Sequence, residues 1–61
     1  MNQETTPDFD AIEAYIREAQ RDLTFAKGQE PGTSYEAVNL DNARMALENA
    51  LAVLARALPP R

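Results

Sequence analysis

A chain of 61 residues has room for one small domain, and a core of that size is marginal unless a disulfide, a metal or further copies reinforce it. Cysteine and histidine are both absent, which excludes a disulfide framework, thiolate or imidazole metal ligands, a cysteine nucleophile and a histidine base. Ten acidic residues against six basic ones leave a net charge of −4, the wrong sign for phosphate-backbone binding, so nucleic acid is not expected as a partner.

In chain order, residues 1–5 are polar and expected to be flexible. No basic end precedes an apolar run, so a secretory signal is not expected. "TPDF" then reads as a helix start, with Thr6 as cap, Pro7 at the first helical position, and Asp8 and Asp10 at the positive helix end. Phe9, Ile12, Ile16, Ala19, Leu23 and Ala26 follow at alternating spacings of three and four, the seam of a helix packed against near-parallel or antiparallel neighbours. Tyr15 flanks that seam, and Glu13 stands one turn before Arg17 as a helix-supporting pair. The first helix is predicted over about 7–27.

"KGQEPGTS" breaks the pattern over 28–33. Gly28 suits a left-handed helix terminator, and Pro31-Gly32 marks a turn. Thr33 and Glu36 match a capping box that opens a second helix, predicted over about 34–58 and stopped by Pro59-Pro60, with 59–61 as a tail. Two long helices joined by so short a loop fold back antiparallel. The expected fold is all-α: a single helical-hairpin domain spanning 1–61.

The second helix carries more apolar surface than one neighbour can cover. Leu40, Leu47 and Leu54 form a spine, flanked by Leu51 and Leu58 on one side and by Ala43, Ala50, Ala57, Ala46 and Val53 on the other. A hairpin needs an apolar stripe of about 100°. The excess predicts a homo-oligomeric helical bundle, the smallest being a dimeric four-helix bundle, with trimers or hexamers left open. The expected interface draws on Phe9, Ile12, Ile16, Leu23, Leu40, Leu47, Ala50, Leu51, Val53, Leu54 and Leu58.

Candidate ligand-binding residues are few. Arg44 lies on the Leu40, Leu47 and Leu51 side; it either snorkels and pairs with Asp41 or Glu48, or holds an anion in a groove between subunits. Tyr15 and Tyr35 either pack or stack on a ring. No metal site, cofactor or catalytic residue is expected: Asp8, Asp10 and Glu13 read as helix-start and surface charges, and both glycines serve the turn. No stretch approaches the ~20 apolar residues of a membrane span. The expected protein is therefore cytoplasmic, non-enzymatic and oligomeric, acting through contact with a protein partner.

The run "LDNARMALENALAVLARALPP" resembles the second helix of one family, the bacteriophage hairpin proteins that sequester cyclic-nucleotide immune signals in anti-CBASS and anti-Thoeris defence. The shared skeleton is carried here by Leu40, Ala43, Arg44, Leu47, Leu51, Leu54, Arg56, Ala57, Leu58 and Pro60, about a third of the chain. The resemblance implies a homo-oligomer whose inter-subunit pockets bind cyclic di- or trinucleotides without cleaving them. Arg44 would contact phosphate and a tyrosine would stack.

Overall fold

A computed structural model describes residues 8–57, which form two helices, α1 (Phe9–Lys27) and α2 (Ser34–Ala57). They pack against each other along their lengths as an antiparallel hairpin. The expected cap Thr6, first-turn Pro7, interface residue Leu58 and stop Pro59-Pro60 lie outside the described residues.

Local chemistry explains both helix starts. Asp8 caps α1: its carboxylate accepts the Ala11 N–H at 3.0 Å, so the cap falls two residues later than the sequence predicts. At α2 the Thr33 hydroxyl accepts the Glu36 N–H at 3.3 Å, and the Glu36 carboxylate reaches back to the Gly32 N–H at 2.7 Å. This is a capping box displaced by one residue, since the returning carboxylate takes the N–H before the cap rather than the cap's own. Acidic Asp10 and Glu36 stand in the first turns and basic Lys27 and Arg56 in the last, each matching the helix dipole.

The turn corrects one expectation. Gly28 is right-handed at φ −86°; its N–H donates to the Phe25 carbonyl at 3.1 Å, and the next N–H, that of Gln29, donates to the Ala26 carbonyl at 3.0 Å, closing α1. The left-handed residue is Gly32, at φ 82°. The chain ends α1 without reversing hand and uses Pro31-Gly32 for the sharp bend, where glycine has no Cβ to strain.

The core is small and made mostly of alanine. Ile12, Ala19 and Ala26 of α1 and Ala43, Ala46 and Ala50 of α2 are the six buried residues of the described chain. Ala19 packs directly with Ala43 and Ala46. The hairpin seam therefore runs along the alanine side of α2, with Val53 half-buried beside it, and the leucine spine is left outside. Small side chains let two helices approach closely; the leucines would hold them apart. Two of the expected interface residues, Ile12 and Ala50, are consumed inside this seam and are not available to another copy. No helix among the described residues is long and apolar enough to cross a membrane.

Candidate functional site

The Ala19 contact with Ala43 and Ala46 shows which residues of the two helices stand level. Counting 1.5 Å of rise per residue from it, Leu23 stands level with Leu40, Ile16 with Leu47, and Phe9 with Leu54. At 100° per residue, Phe9, Ile16 and Leu23 lie on the same side of the α1 seam, one step round from Ile12, Ala19 and Ala26. Leu40, Leu47, Leu51 and Leu54 stand in the same relation to the alanines of α2. Because the helices are antiparallel, both sets come to one face of the hairpin.

That face is a ladder of three apolar rungs, Leu23–Leu40, Ile16–Leu47 and Phe9–Leu54, with Leu51 beside the last two. All seven side chains are solvent-exposed, from 37% for Leu54 to 64% for Phe9. Soluble monomers rarely leave a contiguous apolar patch of this extent uncovered.

The other face has the opposite character. A shallow groove between the helices is lined by Glu18, Arg21 and Asp22 of α1 and by Asn42, Met45, Ala46 and Asn49 of α2, and encloses about 260 Å³. Only Met45 and Ala46 are apolar there. Asn42 and Asn49 form part of its α2 wall. Phe25 and Val38 also lie off the ladder, exposed at 53% and 56% near the turn. Phe25 falls outside the three–four periodicity of α1, so the spacing gave no reason to select it; an aromatic out of phase with its seam was the available signal.

Arg44 stands at the edge of the ladder and is held by its own helix. Its Nε and Nη2 donate to Asp41 Oδ1 at 3.0 and 2.7 Å, and its Nη1 donates to Glu48 Oε2 at 2.6 Å. These hydrogen bonds, that to Asp41 first, and the charges of both carboxylates raise the guanidinium pKa above its ordinary value. Two carboxylates thus surround one guanidinium, leaving the cluster a net charge of −1. The Glu13–Arg17 pair expected on α1 is not formed: among the described residues Arg44 makes the ion pairs.

The three candidate ligand residues are not gathered in one copy. Tyr15 lines an open hollow on the outer side of α1 with Ala14, Arg17, Glu18 and Arg21. Tyr35 opens α2 beside the turn and is exposed, whereas Tyr15 lies roughly 18 Å from that end along α1. Arg44 lines neither this hollow nor the polar groove. No group of three or more Asp or Glu among the described residues could hold a metal ion.

The class this geometry defines is a two-helix antiparallel hairpin with one apolar and one polar face. No family model, curated protein or solved structure matches the chain.

Proposed function

We propose that this chain is a non-catalytic interaction protein that works as a homo-oligomeric helical bundle, with the apolar ladder as its assembly surface. One observation carries this reading: seven large apolar side chains of the two seams stand on one face, outside a core of six residues, five of them alanine. Alanine contributes little burial, so the hairpin's own seam returns little hydrophobic free energy, whereas covering the ladder would add about 1 kcal/mol for each half-exposed leucine or phenylalanine. The opposite face, with Phe25, Val38 and Met45 set among asparagines and charges, then remains outside the bundle and offers a mixed surface to a protein partner.

The test is the mass of the full chain in solution. Light scattering at tens of micromolar should give a mass of two or more times 6.8 kDa. A helical, cooperatively melting species of one-chain mass at that concentration would overturn the proposal.

A further inference from the structure

The ladder is nearly palindromic. Along α1 its members fall at Phe9, Ile16 and Leu23, and along α2 at Leu40, Leu47 and Leu54, equally spaced on either side of the Ile16–Leu47 rung. A surface with that spacing is self-complementary under a two-fold rotation about an axis through the middle rung, which is what an isologous dimer requires.

We infer that the face is closed by a second copy turned about that axis, perpendicular to the helices, so that α1 packs antiparallel on α1 and α2 on α2 of the partner copy. This rests on the self-association proposed above and adds its geometry. Leu47 and Ile16 then each meet themselves across the axis, Leu40 meets the partner copy's Leu54, and Leu23 meets its Phe9.

Two observations favour this arrangement. The first is size. The hairpin is 21 Å wide and 11 Å deep, one layer of helices, and domains are stable as two. A face of that width along a helix of about 30 Å presents roughly 600 Å², close to the ~800 Å² per partner of a standard stable interface.

The second is Leu51, 63% exposed and off the line of the rungs. With α2 on α2, Leu51 falls level with the partner copy's Ala43 and next to its Arg44. The methylenes of that arginine cover the leucine, while its guanidinium stays at the rim on Asp41 and Glu48. The other two-fold, with its axis along the helices, stacks α1 on α2 and sets Leu51 beside Glu13, a leucine against a carboxylate.

The chain has no cysteine, so single cysteines report the geometry without background. Ile16→Cys and Leu47→Cys sit on different helices and outside the hairpin core, so neither substitution opens a cavity in the seam, and far-ultraviolet circular dichroism checks the helix content of each. Under mild oxidation both should form a disulfide-linked dimer in near-complete yield. Leu40→Cys alone should not, because its two copies would lie about 21 Å apart, far beyond disulfide reach. Leu40→Cys together with Leu54→Cys should cross-link. If Ile16→Cys and Leu47→Cys link only to each other in a mixture, or the mass is that of a trimer or larger assembly, the two-fold inference fails while the self-association stands. If the mass is that of one chain, both fail.

Discussion

Gly28 and Gly32 stand four residues apart in one turn and meet different demands. At Gly28 φ is −86°, and an added Cβ would find the Phe25 carbonyl oxygen at 3.6 Å and that of Thr24 at 3.9 Å, ordinary contacts. Alanine fits there and removes freedom from the unfolded chain. At Gly32 space is open, but φ is 82°, a conformation that costs an L residue about 1 kcal/mol. Gly28→Ala should therefore stabilise the protein by about 0.5–1 kcal/mol and Gly32→Ala should destabilise it by about as much, as read from thermal melts. Composition and spacing suggest the reverse assignment, because glycine after a helical run ordinarily marks the left-handed stop; here the Phe25 and Ala26 carbonyls are satisfied without it. Arg44 makes a related point. Its place at the edge of the leucine spine and its proximity to Asp41 and Glu48 are legible from spacing alone, but that both carboxylates bind it at once needs side-chain positions.

Both helices and their antiparallel pairing were legible because periodicity, caps and the Pro-Gly turn agree on them. Which side of α2 faces α1 was not. The apolar sector of α2 is so wide that leucine and alanine sides both satisfy the same spacing, and hydrophobicity alone favours burying the larger residues. Closeness of approach decides it: Ala19 against Ala43 and Ala46 draws the helix axes together, and the leucines are thereby set to one side. Filling this seam should be costly. Ala46→Leu, at a position only 3% exposed, should destabilise the hairpin by about 1–3 kcal/mol in denaturant unfolding, although it raises the apolar content of the helix. For the candidate site, the apolar character of Phe9, Ile16, Leu23, Leu40, Leu47, Leu51 and Leu54 was legible in the spacing, but that they are exposed while Ile12 and Ala50 are buried could not be told until the seam was placed.

At the scale of the whole molecule the chain is a single layer, and its stability should depend on how many copies are present. If the ladder is covered by another chain, dilution shifts the balance towards unfolding: a tenfold dilution should lower the melting temperature by about 5 °C for a dimer of this length. Leu51→Glu, which puts a carboxylate into the apolar face, should abolish that dependence and leave a lower, concentration-independent melt. The alanine seam carries one more consequence. Methyl groups make shallow teeth, so one helix can slide along the other without large side chains having to climb past each other, and the seam by itself is a poor ruler. Alignment is left to the bend, where Glu36 clasps the Gly32 N–H and the Thr33 hydroxyl donates to the Glu30 carbonyl at 2.8 Å. Residues inserted between Gly28 and Thr33 would thus act at a distance, shifting the helices past one another and throwing the rungs of the ladder out of step.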